Sequence, residues 1–192
     1  MARADKFKLK SWYSVLAPKM FDEKKVGDIL SMDDKSVMHR VINTNLSELS
    51  GEMQHGYTRV NFRVNDIKGK TAYTNFIGHE LIRSYIKTLA RRNMSLVDNV
   101  VKVNTKDNVT VAVKTAIITS NRISRTMKSV LRKEAQKIIQ AHAKTRNFDD
   151  FMQEILYKKL STEIYKRSKE FVPIKRVEII KTEVTENLKM SA

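Results

Sequence analysis

Hydrophobic residues recur along this chain at two different periods, and the change falls at about Asn121. Between Ser36 and Ile118 the dominant spacing is two. Tyr57-Thr-Arg-Val-Asn-Phe-Arg-Val64 puts Val60, Phe62 and Val64 on one face and Arg59, Asn61 and Arg63 on the other. Such alternation marks a strand buried on one side only, as in antiparallel sheets. Val101 and Val103, then Val109, Val111 and Val113, repeat the pattern around the turn-forming stretch Asn104–Asn108, which predicts a hairpin. Weaker strands are predicted at 37–46 and 71–77. One helix is predicted to interrupt the series, over Gly78–Arg92, where Leu81, Ile82, Tyr85, Ile86 and Leu89 fall at helical spacing.

Beyond Asn121 the spacing is helical. Ile123, Met127, Val130, Leu131, Ile138 and His142 form one predicted stripe. Asp150 is the expected N-cap of a second helix with Phe151, Ile155, Leu156, Leu160 and Ile164 as its apolar face. Pro173 bars its continuation, and Ile174–Val184 reads as a returning strand. This order predicts an α+β fold, an antiparallel barrel-like sheet with flanking α-helices. Residues 1–25, where Trp12 and Pro18 stand among lysines without a clean period, are expected to be an irregular basic extension. Residues 26–184 are expected to form a single domain and 185–192 a short tail.

Charge says what such a fold is for. The chain carries 37 Lys+Arg against 21 Asp+Glu, a formal +16 on 192 residues. Self-repulsion at that density opposes compaction unless a polyanion neutralises it. The excess is uneven: residues 121–146 hold eight Lys/Arg and one acid, Glu134, a local net of +7. A nearly single-signed helix on an otherwise ordinary composition is the footprint of a nucleic-acid binder. A membrane-surface role would need exposed bulky apolar residues on an amphipathic helix, and the stripes here are sized for a core. The charged N-terminus lacks a signal-peptide core, and the absence of cysteine excludes disulfides, thiolate metal sites and a Cys nucleophile. The expected setting is soluble, reducing and cytoplasmic.

Nothing in the sequence predicts catalysis, a metal or a cofactor. Gly69-Lys70-Thr71 ends like a phosphate-binding loop, but Val64 stands where that motif needs its first glycine. His39, His55, His79 and His142 lack partners at metal-ligand spacing. The adjacent pairs Asp33-Asp34 and Asp149-Asp150 point in different directions and suit turns and caps better than acid/base work. The candidate RNA-binding residues are Lys6, Lys8, Lys10, Trp12, Lys19, Lys24 and Lys25 near the N-terminus. Arg122, Arg125, Lys128, Arg132, Lys133 and Lys137 join them on the basic helix. Trp12 has two roles open to it, anchoring the core or stacking on an unpaired base. No base-reading module is visible, so phosphate and shape recognition is expected.

Two segments resemble a known family. Lys10-Ser-Trp-Tyr-Ser-Val-Leu-Ala-Pro-Lys-Met-Phe21 is similar to the opening K-x-W-Y-x-V-x-A-P-x-M-F of the archaeal and eukaryotic ribosomal protein S-three-a-e family. Gly69-Lys-Thr-Ala-Tyr-Thr-Asn-Phe-Ile-Gly-His-Glu-Leu81 resembles that family's G-K-x-x-x-T-N-F-x-G-x-x-L segment. The resemblance implies a structural constituent of the small ribosomal subunit, on the platform near the mRNA exit. Its implied partners are small-subunit rRNA, neighbouring platform proteins and mRNA, with no membrane and no small-molecule substrate. The compact ends resemble archaeal members. The alternative is a free-standing RNA-binding or RNA-chaperone protein.

Overall fold

A computed structural model describes residues 10–185. Among these residues are eight strands and six α-helices, the α+β class that the two hydrophobic periods predict. The chain divides into two compact units, one up to His79 and the other from Glu80.

The first unit contains β1 (Ser11–Leu16), β2 (Lys25–Ser31), α1 (Asp34–Val37), β3 (Val41–Asn45), α2 (Leu46–Ser50), β4 (Thr58–Lys68) and β5 (Thr71–Leu81). β1 lies between β2 and β5, and β3 continues the array on the far side of β4. Residues 10–21, expected to be irregular, therefore contain a strand. Tyr13 and Val15 are too few buried positions to announce it, so backbone pairing on both sides makes the strand. β1 runs antiparallel to β2, with Trp12 opposite Leu30, and parallel to β5, with Ser14 opposite Thr71. That parallel pair makes the sheet mixed rather than wholly antiparallel. Ser14 N–H donates to the Lys70 carbonyl at 2.9 Å, and Thr74 Oγ1 donates to the Leu16 carbonyl at 2.7 Å.

Gly69 and Lys70 form the two-residue turn between β4 and β5. Gly69 adopts φ +62°, a left-handed conformation that glycine reaches without steric cost. The apparent phosphate-loop ending is thus a hairpin. Part of the core of this unit is aromatic: Phe21 and Phe62 meet edge to face at 5.5 Å, and Phe76 lies 6.3 Å from Phe62. A second cluster holds Val15, Val37, Val64 and Ala72, all fully buried, with Tyr13.

The second unit contains α3 (Arg83–Leu89), β6 (Leu96–Asn104), β7 (Thr110–Thr119), α4 (Arg125–Thr145), α5 (Phe148–Leu156), α6 (Lys159–Lys169) and β8 (Ile174–Val184). The predicted hairpin is β6–β7, and the predicted returning strand is β8. β6 and β8 each pair antiparallel to β7, which lies between them, and residues 115–119 of β7 are buried without alternation. α4 packs on β6 and α6 on β8.

Three helix expectations are corrected. α3 is shorter than the predicted 78–92 helix, because burial of Ala72, Thr74, Phe76 and Gly78 at period two carries β5 through to Leu81. The second predicted helix is two, α5 and α6, broken where Lys158 turns left-handed at φ +62°. Its N-cap is Asn147, which leaves Asp149 and Asp150 in the first turn, where acids favour the helix dipole. The buried row of α4 is Leu131, Ala135, Ile139 and Ala143, rotated from the predicted stripe. Its alanines bring the helix backbone close to β6, which a pattern of large residues could not reveal.

Candidate nucleic-acid interface

α4 is a strong helix before it meets anything else. Ser124 Oγ accepts the Met127 N–H at 3.3 Å as an N-cap, and Ala, Lys, Arg and Gln fill the interior without glycine or proline. His142 and Lys144 stand in the last turn, where cations complement the carbonyl end. Burial of Leu131 and Ile139, each contributing roughly 1.5–3 kcal/mol, holds one side on the sheet. The opposite side is left to the cations. Arg125, Lys133 and Lys137 fall on one i, i+4 row with Ser129 between them, spanning about 18 Å at the helical rise.

The predicted binding residues divide by what already engages them. Arg132 Nε donates to the Asp98 carbonyl of β6 at 3.0 Å, and its own carbonyl accepts from Asn99 Nδ2 at 3.3 Å. Lys137 pairs with Glu134 at 2.7 Å. Among the described residues, Arg122, Arg125, Lys128 and Lys133 have no carboxylate partner, and neither does Lys144. α4 thus presents unneutralised positive charge on a rigid support, and phosphate neutralisation needs both.

The N-terminal candidates lie in the first unit and behave differently. Lys24 Nζ donates to the Leu49 carbonyl at 2.6 Å, and Lys25 pairs with Asp28 at 2.8 Å. The Lys25 ammonium, helped by the Ser14 hydroxyl, holds the Asp28 carboxyl below the usual carboxylate range. Lys10 and Lys19 are exposed. Trp12 is 62 % exposed, which settles its role within the fold: the core anchor is its neighbour Tyr13. Tyr13 is buried and donates from its hydroxyl to Asp34 at 2.6 Å, a bond that raises its ionisation above the ordinary phenol value. Lys6 and Lys8 lie outside the described residues.

The histidines are better partnered than their spacing suggested. His142 sits between Glu154, 3.0 Å from Nδ1, and Glu163, 2.7 Å from Nε2, and Arg146 reaches the other oxygen of Glu154 at 3.0 Å. This cluster ties α4 to α5 and α6. His55 is buried against Glu52 at 3.2 Å. Among the described residues, no group of three or more His, Asp or Glu is placed to hold a metal ion. No helix among them is long and apolar enough to cross a membrane. Three lysines stand outside the predicted binding set. Lys102 and Lys106 belong to β6 and its turn, and they face the same cleft as Lys144 of α4. Their separation along the chain conceals the cluster.

Comparison with known proteins decides the family. The chain matches the Ribosomal S3Ae family over residues 1–187. It belongs to that family. It is 38 % identical over 182 residues to the small ribosomal subunit protein eS1 of Methanothrix thermoacetophila, covering 95 % of this chain and 86 % of that protein. It is 37 % identical over 180 residues to the eS1 of Sulfurisphaera tokodaii, covering 94 % and 93 %. The eS1 of Saccharolobus islandicus is 36 % identical over 180 residues, covering 94 % and 86 %. Membership of the S3Ae family makes the chain a ribosomal protein rather than an enzyme. The two motifs that resembled the family are also neighbours in space. The first lies on β1 and the second on β5, the parallel pair, and Phe21 and Phe76, one from each, both pack on Phe62.

Proposed function

We propose that this S3Ae protein is a structural constituent of the small ribosomal subunit that binds rRNA on the platform near the mRNA exit. It would do so through Lys/Arg–phosphate contacts. The observation that carries the rRNA reading is the unneutralised, exposed row of α4, with Arg125 and Lys133 fixed on a helix whose other side is buried in the second unit. Lys and Arg replace counterions condensed on folded RNA, and their release on binding drives association. A rigid helix holds the cations at fixed spacing, so little side-chain order is lost beyond their own rotamers. Lys10, Lys19 and Trp12 supply a second set of contacts from the first unit, the indole by stacking on an unpaired base. Neighbouring platform proteins and mRNA are the further partners.

The test is sedimentation of a tagged copy from cell lysate through sucrose gradients at low and high salt. The expected outcome is co-migration with small subunits that survives moderate salt, followed by protection of platform rRNA in footprinting. A peak at the top of the gradient at both salts would overturn the proposal and leave a free-standing RNA binder or RNA chaperone. Protection of rRNA elsewhere on the subunit would overturn the platform assignment alone.

A further inference from the structure

The end of β6, the β6–β7 turn and the C-terminal half of α4 enclose a cleft of about 560 Å³. Ligand sites fall in the range of roughly 300–1,000 Å³. Lys102, Lys106 and Lys144 line it together with Asn104, Asn108 and Gln140, and no acid does. Among the described residues none of the three lysines has a carboxylate partner. The carboxamides are available too. Asn104 uses only its oxygen, which accepts from Thr110 Oγ1 at 3.0 Å, and the Asn108 and Gln140 side chains make no hydrogen bond among the described residues.

The walls are fixed. Lys106 N–H donates to the Arg146 carbonyl at 3.1 Å, and Phe148 N–H donates to Asp107 Oδ2 at 2.8 Å, so both ends of the α4–α5 corner hold the turn. Inside the turn, Asn108 N–H donates to the Thr105 carbonyl at 3.0 Å and Thr105 N–H to the Val109 carbonyl at 3.0 Å. The cleft therefore exists before a ligand arrives, which limits the ordering cost of binding.

Three cations suit a phosphate. The carboxamides suit something more, since Asn108 and Gln140 each offer a donor and an acceptor in one plane and Asn104 keeps its amide donor free, the complement of a base edge. A duplex backbone would use the lysines and leave the amides idle. We infer that this cleft holds one unpaired nucleotide of the bound RNA, with its phosphate on Lys102, Lys106 and Lys144. Its base edge lies on Asn104, Asn108 and Gln140. The inference rests on the RNA-binding reading for its biological setting and adds base recognition to an interface otherwise described by phosphate contacts. Sequence-specific RNA recognition uses splayed, unstacked bases of this kind.

The test is titration of the full chain, labelled with 15N, with AMP, GMP, CMP, UMP and inorganic phosphate. The expected result is that at least one nucleotide moves the side-chain amide signals of Asn104, Asn108 and Gln140, while inorganic phosphate does not. The variant N108G/Q140A removes two carboxamides; glycine suits the left-handed Asn108 backbone at φ +59°, and alanine suits a helix. Nucleotide affinity should fall about fivefold or more in this variant, with the rest of the spectrum unchanged. Equal shifts with phosphate and nucleotides, or nucleotide affinity indifferent to N108G/Q140A, would overturn the inference. Those outcomes are separate from the gradient experiment, because a chain that sediments with small subunits can still fail the nucleotide titration.

Discussion

The β1–β2 hairpin and helix α4 are both basic in sequence, yet their cations are in different states. In the hairpin region Lys24 is engaged by the Leu49 carbonyl and Lys25 by Asp28. On α4, Arg125, Lys128 and Lys133 have no carboxylate partner among the described residues, while Arg132 and Lys137 are engaged by the protein. The difference is geometric. A hairpin brings residues of two strands into register, so a carboxylate such as Asp28, opposite Ser14 in the β1–β2 register, is available beside the lysines. A helix with one buried side offers its charged side only its own i±3 and i±4 neighbours, and Glu134 is the single acid among them. A count of basic residues therefore overstates the free charge of both regions, and on α4 the remainder, Arg125, Lys128 and Lys133, is left without a carboxylate among the described residues.

The largest expected effect is on the support of that charge. Leu131→Ala removes a fully buried side chain under α4 and should destabilise the second unit by about 2–5 kcal/mol, read from urea unfolding. If the cost were near zero, α4 would not be held by the sheet as described. Next comes the charge itself. Replacing Arg125, Lys128 and Lys133 together by Ala should lower the log–log salt slope of rRNA binding by roughly 0.7–0.9 for each phosphate that is no longer neutralised. Each change should move unfolding stability by no more than about 0.5 kcal/mol. Lys24→Ala should show the reverse pattern. Without its bond to Leu49 the fold should be about 0.5–1.5 kcal/mol less stable, and RNA affinity should stay close to wild type in filter binding.

The contrast between the two regions sharpens further if an acid is supplied to α4. Ser129→Glu sets a carboxylate four residues before Lys133, which should add about 0.2–0.5 kcal/mol of helix stability while weakening RNA binding. Equal RNA affinity in this variant would break the link between free charge and function. The smallest effect is a pH response of the hairpin. Asp28 ionises below its ordinary value of 3.8 in the folded chain, so its contribution is present above that value and fades as pH falls through the folded one. Asp28→Asn should lower the melting temperature slightly at neutral pH, with the difference from wild type vanishing as pH falls through the folded value, so the acid limb of the profile flattens.

How much of this was legible follows from which residues carry the signal. β4 was readable because Val60, Phe62 and Val64 alternate with Arg59, Asn61 and Arg63. β1 was not, because its strand character comes from pairing with β2 and β5. The position of α4 was readable from its composition, but its buried row was not, since Ala135 and Ala143 are too small to weigh in a hydrophobic pattern. The two roles open to Trp12 were not separable in the sequence: its neighbour Tyr13 takes the buried position, and alternation along β1 sends adjacent side chains to opposite faces.

By itself the sequence determined the α+β class, the basic helix and, through two motif segments, the family. Those properties are local or additive: period, charge and short-range residue order need no knowledge of what packs on what. Only the tertiary structure decided that the two motifs lie on paired strands, that Lys24 and Lys25 are engaged while Lys133 is not, and that Lys102, Lys106 and Lys144 share one cleft. Each of those depends on which distant residues the chain brings within a few ångströms, and hydrogen bonds and ion pairs are decided at that range.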